Sequence, residues 1–332
     1  MKSGTTSRSL IPPQRKFFGL TAGLILVALL AVFPFVVSNR FYIRLLNEMF
    51  IYGLLAMSLD VLLGFTGLLS FMHTSYLGIA AYIAGLVLKH GPQKSLWLAL
   101  LVGVLATQVI AVPVGWVQVR TGGLPFALLT LAFGMMYFTV VWKWYGVTGG
   151  DDGLMGIPQP DLSLFGWVLG NSGNPVLTYL FTLFIVVICF LVTYRIIRSP
   201  FGAVLESIRE NEERAAFIGI NVRRYKLLGW TLACLLASVA GVLFILYKGY
   251  IGPTTMDPFA GAAVLMMVLL GGMGSLWGAF IGAGLFIFMQ DYISTMTEHW
   301  EIFVGLIVVL LVIFLPRGFA GLVDRLRNGE KG

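Results

Sequence analysis

Few side chains in this 332-residue chain have the type and spacing for acid–base or metal chemistry. His73 has Ser70 and Thr74 as polar neighbours, and Asp151 adjoins Asp152. No His, Cys or third carboxylate follows the aspartate pair closely, as a cation site or an acid–base pair would require. We therefore predict no metal and no catalytic residue. We expect His73 to be a hydrogen-bonded core residue, with a proton-coupled role as the alternative.

The remaining reactive groups lie in apolar sequence. Cys189 and Cys234 are predicted to be apolar fillers rather than a disulfide or metal pair. A carboxylate at the centre of a membrane span costs about 2.5–3.5 kcal/mol, so it normally faces the bundle interior or a cavity. We expect Asp60 to make a paired structural contact, with a transport role as the alternative, and Glu48 to lie shallow in the membrane without a special role. The chain has no Gly-x-x-x-x-Gly-Lys-Ser/Thr motif, so we expect no ATP hydrolysis by that route.

The elements that position these groups must be membrane helices. The chain is 58% hydrophobic and 11% charged, with a mean hydropathy of +0.90, whereas soluble domains carry about 25% charged residues. These values exclude a soluble, disordered, collagen-like or disulfide-stapled protein. The apolar runs are too long and too uniform for a β-barrel. The sequence predicts an all-α polytopic membrane protein with about 8–10 transmembrane helices.

The apolar runs form one permease-sized domain over residues 17–316, with tails at 1–16 and 317–332. The first run has no signal-peptide cleavage site, so we interpret it as a retained span. The predicted spans are 17–37, 42–63, 72–88, 95–119, 124–142, 175–195, 227–247, 258–272, 278–292 and 302–316.

The basic residues predict the orientation of these spans. With both termini inside, inside segments hold 16 of the 22 Lys and Arg residues, and outside ends hold six. Cytoplasmic loops are enriched in Lys and Arg, so this bias favours cytoplasmic termini. The same rule explains the net charge of +7 without a nucleic-acid partner.

Two glycine-rich segments, 64–72 and 271–278, interrupt apolar sequence. Each is either a tight interhelical turn or a broken helix, and broken backbone in lipid must be covered by protein. Gly271, Gly272 and Gly274 are expected mainly to let helices approach closely, with a role in a translocation path second.

The loop 195–226 carries 11 of the chain's 37 charged residues. Ser199 and Pro200 predict a helix start, and Gly219 predicts its end. The apolar residues of this amphipathic helix share one face. They are Phe201, Leu205, Ile208 and Ala215. Such a face suits docking into a groove on a soluble partner, and a solvated connector is the alternative.

Five segments resemble the high-affinity branched-chain amino acid importers, specifically the longer of their two membrane subunits. The loop 195–226 resembles the coupling region of ABC importer permeases. Ala215-Ala216 followed by Gly219 is similar to their "EAA…G" signature. The segments are GFTGLLSFMHTSYLGIAAYIAG (64–85), VTGGDDGLMGIP (147–158), SPFG (199–202), IRENEERAAFIGINV (208–222) and VLLGGMGSLWGAFIGA (268–283). The family has Gly before the His of the first segment, where this chain has Met72.

The resemblance implies an ABC importer permease fold in a bacterial inner membrane. It implies a second permease, two ATPase subunits that hold the ATP, and a periplasmic binding protein as partners, and no cofactor on this chain. The implied substrate is leucine, isoleucine or valine. Urea or short-chain amides are the alternative, and an ion-coupled secondary transporter or a structural membrane protein are the rival classes.

The candidate site residues fall into three groups. The predicted ATPase-coupling residues are Phe201, Leu205, Ile208, Glu212, Glu213, Ala215, Ala216 and Gly219. The candidate translocation path comprises Gly67, Ser70, His73, Gly271, Gly272 and Gly274. The candidate binding-protein contact is the outer loop with Gly149, Gly150, Asp151 and Asp152, for which a plain turn is the alternative.

Overall fold

The computed structural model of the protein describes residues 14–37, 39–91, 95–164, 167–315 and 318–321. The predicted tails at 1–16 and 317–332 lie almost wholly outside these residues.

The described part of the chain is almost entirely helical, as predicted. The long helices are Gln14–Val36 (α1), Arg40–Asp60 (α2), Thr74–His90 (α3), Leu96–Gln118 (α4), Gly123–Lys143 (α5), Pro175–Ile197 (α7), Val222–Lys248 (α10), Pro258–Gly271 (α11), Leu276–Ser294 (α12) and Trp300–Phe314 (α13). The short helices are Tyr145–Thr148 (α6), Pro200–Glu210 (α8) and Glu212–Phe217 (α9). A π-helical turn, Val61–Thr66, extends α2.

Six of these helices are both long and apolar enough to cross a membrane. They are α2 with its π turn, α4, α5, α7, α10 and α12. Apolar stretches of α1, α11 and α13 are shorter, at 10–17 residues. All ten predicted spans coincide with long helices, and the structure supports a multi-pass membrane protein.

One small sheet was not predicted. The strands Asp161–Leu164 (β1) and Trp167–Asn171 (β2) pair antiparallel in the connection between α5 and α7. Asn174 then caps α7 by accepting from the Val176 N–H at 3.0 Å, and Pro175 occupies the first turn.

The two ends of the bundle differ. The 23 residues of α7 span about 35 Å and separate β1–β2 from α8. We call the end with β1–β2 the hairpin face and the opposite end the α8 face. Ile251, after α10, pairs with Leu154 on the hairpin face, whereas both glycine-rich breaks meet α8.

The core is built on α2, α3 and α10. Within their most apolar windows, α2 and α10 are 78% buried, against 28% for α4 and for α5. Close approach depends on glycine, because a Cβ atom on Gly241 of α10 would overlap the Leu77 carbonyl of α3. The central helices therefore pack backbone to backbone.

The two glycine breaks have different shapes. Residues 67–73 are non-helical, and all of them except the exposed Gly67 lie inside the bundle. The Phe71 N–H donates to Thr130 Oγ1 of α5 at 3.2 Å, and a Cβ on Gly261 of α11 would overlap the Phe71 carbonyl. Protein thus covers this irregular backbone, as a membrane requires. The second break, between α11 and α12, is a tight turn.

We predict that Gly241→Val destabilises the protein by roughly 1–3 kcal/mol, because the added side chain must displace the α3 backbone. Thermal unfolding of the purified protein in detergent measures the effect. Gly305→Val on α13 is the matched control, since a Cβ atom added there would meet no other described atom within 4 Å. Equal losses for both variants would contradict the close packing of α3 and α10.

Candidate functional site

The helical region predicted in the loop 195–226 starts and ends where expected, but it is divided into two helices, α8 and α9. Ser199 Oγ accepts from the Phe201 N–H at 3.3 Å at the start of α8, and Gly219 takes a φ of +88° after α9. The break is at Asn211, whose backbone is extended and whose side chain accepts from the Arg214 N–H at 2.8 Å. Asn211 thus caps a second helix where one continuous helix was predicted.

The apolar stripe of this region packs against the protein itself. Leu205 is fully buried in the main core, and Ile208 and Ala215 are buried together with Val222. Phe201 is half-buried and stacks on Tyr225 with ring centroids 5.9 Å apart. The expectation that this stripe enters a partner's groove is therefore wrong, because the chain's own helices already cover it.

The exposed apolar groups of the loop lie beyond the predicted face. Phe217 is 88% exposed and Ile218 is 73% exposed, at the end of α9. Glu212, Glu213, Ala216 and Gly219 are exposed around them. The helical spacing could not reveal this surface, because it depends on the break at Asn211. We call residues 212–219 the α9 tip.

A partly buried ion pair holds the α9 tip to α10. Lys226 Nζ donates to Glu212 Oε2, and the Lys226 side chain is 3% exposed, against 51% for Glu212. The lysine charge therefore depends on Glu212 for a partner, whereas the glutamate is still half hydrated. The pair fixes where α9 leaves the bundle.

The two glycine breaks touch each other next to α8. A Cβ on Gly64 would overlap both the Gly274 nitrogen and Asp60 Oδ1, so the two backbones are in direct contact. Asp60 is fully buried, as predicted, and its Oδ1 accepts from the Gly274 N–H at 2.8 Å. From α8, Arg209 Nη1 donates to the Gly64 carbonyl oxygen. We call these four residues the break junction.

His73 is a hydrogen-bonded core residue, as expected. Its Nε2 lies within hydrogen-bond distance of Ser58 Oγ, at 3.0 Å, and Ser58 Oγ donates to the Leu55 carbonyl at 2.6 Å. The ring also meets Tyr76 and Trp230 at centroid distances of 5.9 and 6.4 Å.

Most of the predicted path residues are packed in the interior. Ser70, His73, Gly271 and Gly272 are buried, and only Gly67 is exposed. Gly271 packs on the Gly278 carbonyl, which confirms its expected role in close helix packing. A shallow groove of about 500 Å³ also lies along α5, lined by residues that the sequence did not single out. They include Met135, Met136 and Thr139.

The family departure at Met72 has a structural counterpart. Met72 is buried, and a Cβ on Gly134 of α5 would overlap the Met72 side chain. The glycine at 134 therefore makes room for the methionine at 72.

On the hairpin face, the predicted outer loop is a shaped turn. Gly149 and Gly150 have φ of +80° and +61°, and Thr148 Oγ1 donates to the Val141 carbonyl at 2.6 Å. Asp151 and Asp152 are exposed. Across the described residues, no three His, Cys, Asp or Glu side chains are grouped to hold a metal ion.

A helical bundle with membrane-length apolar helices, and with a charged connection that joins its inner breaks to an exposed tip, defines a multi-pass membrane permease. The family comparison agrees with this class. Residues 39–315 match the family described as the permease component of the branched-chain amino acid transport system. The chain therefore belongs to this family of transport permeases, and the resemblance seen in the sequence is confirmed.

Individual relatives cover most of the chain. The high-affinity branched-chain amino acid transport system permease protein LivM of Escherichia coli (strain K12) is 29% identical over 92% of this chain and 77% of its own length. LivH of the same organism, a permease protein of the system with the same name, is 27% identical over 81% of this chain and 91% of its own length. The fructose import permease protein FrcC of Rhizobium meliloti is 26% identical over 42% of this chain and 41% of its own length.

We predict that Glu212→Ala destabilises the protein by about 1–3 kcal/mol, because it leaves the buried Lys226 ammonium without its partner. Lys226→Met should cost less, since the half-exposed Glu212 carboxylate keeps its water. Thermal unfolding in detergent measures both. Glu213→Ala, at the exposed neighbouring position, is the control and should stay within about 0.5 kcal/mol. Equal effects at Glu212 and Glu213 would contradict the role of the pair.

Proposed function

We propose that this chain is a permease subunit of an ATP-driven importer of branched-chain amino acids. The substrate class is supported by LivM and LivH, both named for branched-chain amino acid transport and both matching most of the chain. A second permease of the same family completes the translocation path. This pairing is supported by the match of one chain to two different permease proteins of the same system.

The observation that carries the proposal is the α9 tip. Phe217 and Ile218 expose large apolar side chains on a segment that the Glu212–Lys226 pair and α8 fix to the bundle. Exposed apolar groups on a fixed segment are suited to bind a soluble protein. Two ATPase subunits complete the importer, and one of them binds to each permease. ATP binds to them, and this chain, which lacks the phosphate-binding motif, hydrolyses none.

We place the α8 face in the cytoplasm and the hairpin face in the periplasm of a bacterial inner membrane. The bias of Lys and Arg supports this orientation, with both termini inside. Arg120, Arg195 and Arg198 lie at the α8 face, and Lys89 and Lys248 at the hairpin face. The hairpin face, with the exposed Asp151 and Asp152, then receives the periplasmic binding protein.

In this mechanism ATP-driven closure of the ATPases pushes on the α9 tip. The motion passes to α8 and α10 and opens the path between the two permeases alternately outward and inward. The predicted coupling residues thus divide into two groups: the buried Leu205, Ile208 and Ala215 anchor the region, and the exposed residues of the α9 tip contact the ATPase. No covalent chemistry takes place on this chain.

We predict that the double substitution Phe217→Ser and Ile218→Ser weakens ATPase binding at least about tenfold, because apolar anchors at protein interfaces dominate binding energy. Co-purification and titration of the ATPase subunits in detergent measure binding. Met155→Ser is the control, since Met155 is an exposed apolar residue on the opposite, hairpin face. Unchanged ATPase binding in the double variant would refute the proposed docking surface.

We predict that Asp151→Asn with Asp152→Asn lowers the stimulation of ATP hydrolysis by the binding protein, while ATPase binding is unchanged. Removing exposed charges at an interface rim slows association. Proteoliposomes containing all subunits, titrated with the liganded binding protein, give the measurement. Glu298→Gln, on the exposed connection between α12 and α13, is the control.

Uptake of urea in place of leucine by these proteoliposomes would overturn the substrate assignment.

A further inference from the structure

Arg209 of α8 joins the charged connection to both glycine breaks. Its Nη1 donates to the Gly64 carbonyl oxygen in the π turn, and its stem lies on Gly67, where a Cβ would be 2.9 Å from Arg209 Cγ. The same Nη1 would lie 3.5 Å from a Cβ on Gly274, in the turn between α11 and α12. One side chain therefore reaches the end of α2 and the start of α12.

Asp60 adds a buried carboxyl group to this arrangement. Its carboxylate is fully buried, and Oδ1 accepts the Gly274 N–H, whereas Oδ2 has no hydrogen-bond partner among the described residues. A buried carboxyl with a single hydrogen bond is costly in its charged form unless an opposite charge lies near. The Arg209 guanidinium lies at the same two glycines, Gly64 and Gly274, that contact this carboxyl.

We propose that Arg209 is a positioning residue. It passes movement of α8 and the α9 tip to Gly64, Asp60 and Gly274, the other members of the break junction. This inference rests on the proposed function, since it takes the ATPase as the source of that movement. The guanidinium holds the π turn at its carbonyl. The π turn touches Gly274 directly and through Asp60, so displacement of α8 moves the ends of α2, α11 and α12 together.

A purely structural role is the competing explanation, in which Arg209 only neutralises Asp60. The two roles separate when Asp60 loses its charge. In the double variant Arg209→Met with Asp60→Asn no buried charge is left uncompensated, and the Asn side-chain oxygen can still accept from the Gly274 N–H. Stability should then recover, while the link from α8 to the Gly64 carbonyl remains cut.

The experiment uses the complete importer in proteoliposomes, with both permeases, the ATPases and the binding protein. It measures leucine uptake, ATP hydrolysis, ATPase co-purification and thermal stability. We expect Arg209→Met to keep the ATPases bound and hydrolysing, and to lower leucine transported per ATP at least about tenfold. Adding Asp60→Asn should restore thermal stability without restoring this ratio. Arg120→Met is the control, since that guanidinium stacks on Trp116 at 3.6 Å, on the same face.

Two results would overturn the inference. One is a normal transport ratio in Arg209→Met. The other is recovery of the ratio together with stability in the double variant, which would show that charge compensation is the whole role of Arg209. Failure of the proposed function is a different outcome, because the wild-type importer would then show no ATP-dependent leucine uptake or no bound ATPase.

Discussion

The structure depends on a backbone contact that only glycine permits. Gly64 and Gly274 come from segments more than 200 residues apart in sequence, and any side chain on Gly64 would separate them. Their contact brings the Gly274 N–H to Asp60 and the Gly64 carbonyl to Arg209. The ends of α2, α11 and α12 are therefore fixed to α8 through hydrogen bonds to backbone groups, at the face where the soluble subunits are proposed to bind.

The sequence predicted one amphipathic helix in this loop, whereas the structure assigns attachment to the bundle and exposure of apolar groups to different residues. The buried side chains of α8 and α9 attach the connection to the bundle, and the residues after the Asn211 break present apolar groups to the outside. The Glu212–Lys226 pair lies between these two parts. A displacement of the α9 tip is thus transmitted to the bundle by packed side chains and an ion pair rather than by a flexible loop.

Local signals in the sequence predicted the elements well. Each of the ten apolar runs coincides with a long helix, and Ser199, Pro200 and Gly219 marked the ends of the helix predicted in the loop 195–226, because caps and hydropathy act over a few residues. What the sequence could not give were long-range contacts. The apolar stripe of α8 was assigned to a partner because nothing local shows that α10 and the π turn cover it. The β-hairpin was missed for lack of a strong strand pattern, and Arg209 because its partner is a backbone carbonyl 145 residues away.

The pairing of Met72 with Gly134 shows that volume at a helix contact belongs to two positions jointly. Met72, on the irregular segment before His73, is buried and fills the space that the missing side chain of Gly134 on α5 leaves open. Substituting either site alone would leave a void or a collision, whereas exchanging both conserves the space. Position 72 can therefore carry a bulky residue next to His73 only while position 134 carries a glycine.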